Sequence, residues 1–171
     1  READAAPLGR LRISANEALE LAKANLKLTV TDFVLKATVE ALRRVPAVNS
    51  SWEGSSIRQH GSVHLAFAVA LPDGLITPVI KNAHAKDLRT IAREAKELGA
   101  KANPPQAGIL AVGATVKKPV LASNGAVIPG ERMSLTVSAD HRVVDGLVAG
   151  EFLKALVELL VTHPDNPRSL A

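Results

Sequence analysis

Residues 138–146 hold a histidine, an arginine and two aspartates in the string Ser-Ala-Asp-His-Arg-Val-Val-Asp-Gly. An unperturbed histidine has a pKa of ~6.5, which makes His141 a natural general base at neutral pH. Asp145 can orient nearby groups through charge-assisted hydrogen bonds. Gly146 allows a tight turn where the backbone can approach a substrate. These residue types suit chemistry in which a base removes a proton from a substrate.

Spacing alone also permits a purely structural interpretation. A histidine at the end of a strand is more often a hydrogen-bonded structural residue than a catalyst, and an Asp-Gly pair usually marks only a turn. Of the other histidines, His64 is expected to be structural on a strand face. The remaining three are expected to be solvated in loops or at a helix end: His60, His84 and His163.

Composition excludes several classes of function. The chain has 171 residues, no cysteine and a net charge of +4, so it has the length of one domain and holds neither a disulfide nor a thiolate metal site. It shows no Lys/Arg run with interleaved aromatic residues, which argues against nucleic-acid binding. No apolar run reaches the ~18–20 residues of a membrane span. The basic balance still suits an anionic substrate.

The N-terminal quarter is predicted from breakers, caps and apolar spacing. Pro7 and Gly9 are interpreted as breakers. Thr29 or Thr31 is a plausible N-cap of a helix whose apolar stripe ends near Val45. The expected order is a loose lead-in, a short strand, a short helix and this longer helix: 1–9, 10–14, 16–25 and up to about 45.

The middle of the chain alternates between extended segments and one helix. Ser62 to Ala70 alternates apolar and small residues as a strand does. Residues 72–74 predict a turn, and residues 75–80 predict further extended structure. Asp87 can cap a helix to Leu98, with Gly99 at its end.

The C-terminal third predicts strands followed by a helix. Residues 104–105 form a Pro-Pro break, residues 107–116 a strand, and Asn124-Gly125 the turn of a hairpin over residues 120–128. A further strand ends at His141, and residues 147–161 form a nearly apolar closing helix. The expected fold class is α/β: a two-layer sandwich in which helices cover a mixed sheet.

The nine-residue string resembles the active-site motif of the dihydrolipoamide acyltransferases, the cores of 2-oxoacid dehydrogenase complexes. Three further segments are similar to this family: Pro46–Trp52 (PAVNSSW), Pro72–Ile80 (PDGLITPVI) and Asn103–Gly113 (NPPQAGILAVG). The similarity covers roughly residues 10–160. It implies the fold shared with chloramphenicol acetyltransferase.

The resemblance implies transfer of an acyl group between dihydrolipoamide and coenzyme A. His141 would be the general base, and Asp145 would fix the local geometry, commonly through an arginine in this family. Gly146, Leu75, Thr77 and Pro78 would lie at the substrate. Coenzyme A would be a substrate, the lipoyl group would be carried on a separate domain, and no metal is required. Trp52 is expected to be a core residue.

Acetyl is the favoured acyl group, because the Val143-Val144 form of the motif and the Asn-Ser-Ser-Trp segment look most like the pyruvate branch. The resemblance also implies a homotrimer with its active site between subunits, which can assemble into a larger core. The more polar tail at residues 166–171 argues against that larger assembly. Lipoyl and subunit-binding domains would precede residues 1–9, with the catalytic core at 10–171. The location would be the bacterial cytoplasm or the mitochondrial matrix.

The chain departs from the family at two places. An early helix and a Pro-His-Phe-like segment are not found before residues 11–13. More seriously, Gly99-Ala100-Lys101-Ala102 leads directly to Asn103, where the family has a segment with a serine whose hydroxyl is thought to stabilise the oxyanion. Loss of one oxyanion donor costs a factor of ~10²–10³ in rate. Either the chain is a shortened variant, or the sequence leaves out residues that the protein contains.

Two rival functions therefore stay open. The first is a non-catalytic scaffold subunit or engineered cage, which would form trimers without turnover. The second is a chloramphenicol-type acetyltransferase that uses the same histidine on a hydroxyl acceptor. The Pro-Pro-Gln and Gly-Leu-Ile-Thr-Pro segments argue against the second.

Overall fold

The computed structural model describes residues 1–71, 74–99 and 109–162. Its helices are α1 (Ala6–Leu21), α2 (Val30–Arg44), α3 (Leu88–Gly99) and α4 (Gly146–Thr162). Its strands are β1 (Glu2–Asp4), β2 (Ser50–Trp52), β3 (Ile57–Gln59), β4 (Leu65–Ala66), β5 (Val69–Leu71), β6 (Gly74–Ile76), β7 (Val79–Ile80), β8 (Ile109–Val112), β9 (Val116–Leu121) and β10 (Val127–Ser138). The turn at 72–73, the Pro-Pro break at 104–105, His163 and the tail at 166–171 lie outside the described residues.

The long strand β10 organises the main sheet. It pairs antiparallel with β1 and β9 along its first part and with β8 along its last part. Met133 and Leu135 are buried, whereas Ser134 and Thr136, which alternate with them, are exposed. One face of the sheet is therefore covered, and α4 and α1 supply the cover. The mixed arrangement of sheets and helices agrees with the predicted α/β class, although every pairing in this main sheet is antiparallel.

Helix α2 lies at the centre of the main core. Thr29 caps it: the Asp32 backbone N–H donates to Thr29 Oγ1 at 3.3 Å, and the Thr29 N–H donates to Asp32 Oδ2 at 2.7 Å. This capping box satisfies two backbone donors that a helix start leaves unpaired. Phe33, Ala37 and Ala41 are buried in this core, where α2 packs against α4. The predicted helix ending near Val45 is confirmed, and of the two candidate caps, Thr29 and Thr31, it is Thr29 that caps it.

Helix α3 closes a second, smaller core. The Thr90 backbone N–H donates to Asp87 Oδ1 at 2.7 Å, so Asp87 caps the helix as predicted. Hydrogen bonding to Thr90 lowers the pKa of Asp87. Ile91 packs with Val39 of α2 and Ile80 of β7.

The prediction for the N-terminal residues is wrong. Residues 2–4 form β1 instead of a loose lead-in, and residues 10–14 lie inside α1 instead of forming a strand. Pro7 occupies the first turn of α1, where a missing N–H costs nothing. Leu8, Leu11 and Leu19 supply the buried stripe of this helix. An early helix is thus present, and only residues 16–21 of the expected helix at 16–25 are helical.

Three predicted extended segments are divided. Residues 62–70 hold β4 and the start of β5, and these strands pair with β7 and β6 respectively. The segment predicted at 75–80 is divided between β6, which pairs with β5, and β7, which pairs with β4. Residues 109–116 of the segment predicted over 107–116 hold β8 and the start of β9. The hairpin at 120–128 is confirmed, with Gly125 at φ +83°.

No helix in the described ranges is long and apolar enough to cross a membrane.

Candidate functional site

His141 lies in the turn that joins β10 to α4. The strand ends at Ser138, so the prediction that it runs to His141 is wrong by three residues. The Asp140 carbonyl accepts hydrogen bonds from the Val143 and Val144 backbone N–H groups, each at 2.9 Å. Val144 is buried and fixes the far side of the turn. The backbone of the turn is therefore held in place, and His141 is exposed on its surface.

Asp140 and Arg142, on either side of the histidine, bind each other. Arg142 Nη2 donates to Asp140 Oδ2 at 2.6 Å, and Arg142 Nε donates to Oδ1 at 3.0 Å. The Arg142 backbone N–H also donates to Oδ1 at 3.0 Å. These side-chain hydrogen bonds from Arg142 lower the pKa of Asp140 to about 2 and raise that of Arg142. The pair is ionised throughout the neutral range.

Trp52 lies beside this ion pair. The Arg142 Cζ is 5.9 Å from the centre of the indole ring, within the ~6 Å range of a cation–π interaction. Trp52 is 37% exposed, so its expected place in the core is wrong. Sequence reasoning did not place Trp52 and Asp140 together in the site. The available signal was that both belong to segments that carry the family resemblance.

Asp145 begins α4. Its Oδ1 accepts a hydrogen bond from the Val148 backbone N–H at 2.8 Å, and its carbonyl accepts one from Ala149 at 3.0 Å. Among the described residues, Asp145 makes no hydrogen bond or ion pair with Arg142 or His141. Gly146 is the first residue of α4, and a Cβ on it would meet nothing within 4 Å.

The other three predicted substrate residues lie on and directly after β6, far from this turn in the sequence. Leu75 is 67% exposed on β6, Thr77 is half-buried, and Pro78 is buried. The Pro78 carbonyl accepts from the Phe67 N–H at 3.1 Å. Within the described ranges, no hydrogen bond links this segment to the His141 turn. One chain therefore brings together only the part of the predicted site at residues 140–146.

The other described histidines make hydrogen bonds. The His64 Nδ1 accepts from the Asn82 N–H at 3.0 Å, and the His84 Nδ1 accepts from the Val63 N–H at 3.1 Å. The His60 Nε2 lies 3.0 Å from Ser51 Oγ. The expectation that His84 is only solvated is therefore wrong. His141 has no side-chain hydrogen bond within the part of the chain that the structure describes, which leaves its ring available.

A hollow of about 690 Å³ lies elsewhere, between α3 and the segment that follows α1. Its lining includes Arg89, Arg93 and Lys96 but no residue of the His141 turn. Across the described ranges, no group of three or more His, Asp or Glu side chains is arranged to hold a metal ion.

Comparison with known proteins gives solved structures with the same fold. A probable dihydrolipoamide acetyltransferase from Listeria monocytogenes superposes with a TM-score of 0.89 at 31% identity, covering 100% of this chain and 86% of that one. A dihydrolipoamide acetyltransferase from Azotobacter vinelandii has a TM-score of 0.85 at 30% identity and covers 99% of this chain and 81% of that one. That enzyme was studied for a serine, a histidine and an asparagine in its catalytic mechanism.

Curated relatives are acetyltransferase components of pyruvate dehydrogenase complexes. The mitochondrial component from Schizosaccharomyces pombe is 40% identical over 192 residues, covering 92% of this chain and 38% of the relative. The component from Rickettsia felis is 36% identical over 166 residues, covering 78% and 40%. The chain thus spans about two-fifths of the length of these relatives.

The comparisons also mark an internal difference. The alignment with the S. pombe protein is longer than the 171 residues of this chain, so the relative has residues that this chain lacks. The family of 2-oxoacid dehydrogenase acyltransferase catalytic domains matches in two parts, residues 1–103 and 102–168. The break lies at residues 102–103, where the resemblance implies a serine-bearing segment. On a match that spans nearly its whole length, the chain belongs to the 2-oxoacid dehydrogenase acyltransferase catalytic-domain family.

Proposed function

We propose that this chain is the catalytic core domain of a dihydrolipoamide acyltransferase, which moves an acyl group between dihydrolipoamide and coenzyme A. Acetyl is the favoured acyl group, since the relatives are named as acetyltransferases of pyruvate dehydrogenase complexes. The observation that carries the proposal is an exposed histidine, held on a rigid turn, in a chain of this family.

His141 acts as the general base. It removes the proton from the acceptor thiol, and the sulfur attacks the carbonyl carbon of the acyl thioester. The tetrahedral intermediate collapses, the carbon–sulfur bond to the donor breaks, and the departing thiolate takes the proton back from His141. Asp145 holds the start of α4 in place behind the turn. No metal is needed for this sequence of steps.

The substrate site is completed by a second copy of the chain in a homotrimer. One chain leaves His141 exposed and makes no hydrogen bond, among the described residues, from its turn to Leu75, Thr77 or Pro78. In the trimer, these three residues and Gly146 line the channel for the thiol substrates. Large apolar side chains exposed on β8, β9 and the start of β10 support burial against another copy: Ile109, Val112, Val116, Leu121, Val127 and Ile128. A larger core is supported by the likeness to a cubic pyruvate dehydrogenase core, at a TM-score of 0.83 and 31% identity.

The proposed partners are the lipoyl domain that carries the dihydrolipoyl group and the peripheral subunits of the complex. The bacterial cytoplasm or the mitochondrial matrix is the proposed location, since the relatives include a mitochondrial and a bacterial component.

A second candidate is a scaffold subunit without turnover. It is favoured by one observation, the break in the family match at residues 102–103, where the serine-bearing segment would lie. If another group does not replace that hydroxyl, the rate falls by a factor of ~10²–10³.

The test is acyl transfer by the full chain from acetyl-coenzyme A to dihydrolipoamide, with the thioester product measured by mass spectrometry. The matched variants are His141→Ala, which removes the base, and His84→Ala, which removes a histidine bonded to the backbone at Val63. We expect His141→Ala to abolish transfer and leave the assembly mass unchanged in light scattering. His84→Ala should retain transfer if the protein stays folded.

A trimer with no transfer above the uncatalysed rate would establish the scaffold function. Equal rates for the unaltered chain and His141→Ala would exclude His141 as the base. The intact mass of the purified chain separates the two explanations of the break: 17.9 kDa fits a shortened variant, and a larger mass means that the segment is present.

A further inference from the structure

The Arg142 guanidinium is held on two sides. Its Nε and Nη2 edge is bound by the Asp140 carboxylate, and its Cζ lies over the Trp52 ring, 5.9 Å from the ring centre. An arginine suits this position better than a lysine, because a planar guanidinium can bind a carboxylate at its edge and stack on an aromatic face at once. Asp140 and Arg142 directly precede and follow His141, so these contacts hold both of its neighbours.

Trp52 is itself placed by a small and well-fastened hairpin. Trp52 pairs with Ile57 across strands β2 and β3. At the base of the hairpin, Asn49 Nδ2 donates to the carbonyls of His60 at 3.0 Å and Ser62 at 3.1 Å, and the Asn49 carbonyl accepts from the His60 N–H at 2.8 Å. The indole ring therefore offers a fixed surface, although it is partly exposed.

We propose that Trp52 is a positioning residue for the acyl transfer. Its ring holds Arg142, Arg142 holds Asp140, and the two together set the direction of the exposed His141. The inference rests on the proposed function, since it assigns the geometry of the same base. Among the described residues, Asp145 does not make the expected contact with an arginine, because it binds the Val148 N–H instead. The role proposed for Trp52 explains how Arg142 is held without Asp145.

The reason lies in the exposure of the histidine. A general base must stay within hydrogen-bond reach of the thiol, and a small misplacement lowers the rate steeply. Within the described ranges, no hydrogen bond orients the His141 ring directly. The clamp formed by Trp52, Arg142 and Asp140 adds to the backbone hydrogen bonds of the turn in limiting the motion of His141. Loss of the clamp should therefore lower kcat and leave KM nearly unchanged.

The first experiment measures kcat and KM for Trp52→Leu and Trp52→Phe. Leu keeps apolar bulk without a π face, whereas Phe keeps a π face. We expect Trp52→Leu to lower kcat by about two- to fivefold, the range of an exposed cation–π interaction, and Trp52→Phe to recover most of that loss. Ile57→Ala is the control, because it removes the cross-strand partner in the same hairpin without removing the ring.

The decisive comparison is a double-mutant cycle with Arg142→Met. If the ring acts through the guanidinium, Trp52→Leu has no further effect on kcat once Arg142 is absent. Additive losses, a wild-type kcat for Trp52→Leu, or an equal loss in Ile57→Ala would each overturn the inference. If His141→Ala is inactive while Trp52→Leu is fully active, only this inference fails. If His141→Ala is fully active, the proposed function itself fails.

A second measurement does not depend on turnover. The chain has one tryptophan and no tyrosine, so its ultraviolet fluorescence reports on Trp52 alone. A nearby cation attracts iodide, so we expect Arg142→Met to reduce iodide quenching of the emission. Arg58→Met is the matched control, since Arg58 lies in the same hairpin but pairs with Glu53 at 2.9 Å. Equal quenching in the unaltered chain and Arg142→Met would contradict the clamp even in a chain without turnover.

Discussion

Asp145 Oδ1 accepts the backbone N–H of Val148 at 2.8 Å, so the last charged residue of the motif is the N-cap of α4. The turn with His141 is thus held at both ends by backbone hydrogen bonds, at Asp140 before it and at Asp145 after it. The helix beyond carries Phe152 and Leu156, which are buried in the main core. The His141 turn is therefore tied to the core through a helix cap.

Replacement of Asp145 by Ala removes this cap and should lower the free energy of unfolding by about 1 kcal/mol. Asp145→Asn keeps an acceptor at the same place, so its stability should stay within a few tenths of a kcal/mol of the original. Urea unfolding followed by circular dichroism measures both. Equal losses in the two variants would show that the carboxylate charge, not the acceptor, holds the helix start.

The two glycines of α4 should respond differently to alanine. A Cβ at Gly146 or at Gly150 meets nothing within 4 Å in a single chain. Alanine in the helix interior at Gly150 should stabilise the chain by about 0.5–1 kcal/mol, because it reduces backbone entropy in the unfolded state. If substrate approaches the backbone at Gly146, Gly146→Ala raises KM without destabilising the fold. Unchanged kinetics of Gly146→Ala would remove Gly146 from the substrate site.

The Asp140 carboxyl should titrate far below neutrality. Its pKa is lowered to about 2 by the hydrogen bonds from Arg142, so the folded state favours the charged form. The stabilisation is present above the ordinary aspartate pKa of ~3.9 and is lost as pH falls through about 2. A carbon-detected NMR titration of Asp140 should give this midpoint, and Arg142→Met should return it toward ~3.9. A pH effect on rate between 5 and 8 therefore does not come from Asp140.

Gly130 should not tolerate a side chain. A Cβ there would lie 2.6 Å from Cγ2 and 2.9 Å from Cγ1 of Val120 on the neighbouring strand. Valine has little rotamer freedom to yield, so Gly130→Ala should destabilise the chain by about 1–3 kcal/mol. Ser134→Ala, at an exposed site on the same strand, is the control and should change the midpoint of thermal unfolding far less. Equal midpoints for the two variants would mean that the hairpin bends to make room.

Elements with strong local signals were predictable from the sequence. Thr29 and Asp87 begin their helices through short-range hydrogen bonds that depend on residue type and spacing. Asn124-Gly125 makes its turn because Gly125 takes a positive φ. The motif at 138–146 was also visible, although only the resemblance to a family favoured chemistry over a simple turn.

Features decided by tertiary partners were not predictable in the same way. Pro7 looks like a breaker, but proline is tolerated in the first turn of a helix. Burial of Leu8 and Leu11 stabilises that helix. The extended run at 62–70 divides because β4 and β5 find different partners far along the chain. Trp52 contacts Arg142, which lies 90 residues further along the sequence, and no local sequence pattern predicts such a contact.

The pairing of β1 with β10 also affects when the main sheet can form during synthesis. The Arg1 backbone nitrogen donates to the Leu135 carbonyl at 2.7 Å, across a sequence separation of 134 residues. Strand β1 thus leaves the ribosome well before β10 and stays without this partner until β10 is synthesised. Contacts so distant in sequence slow folding, because a long loop must close before they form. The histidine turn follows directly after β10, so it leaves the ribosome only after β1, β8, β9 and β10 have been synthesised.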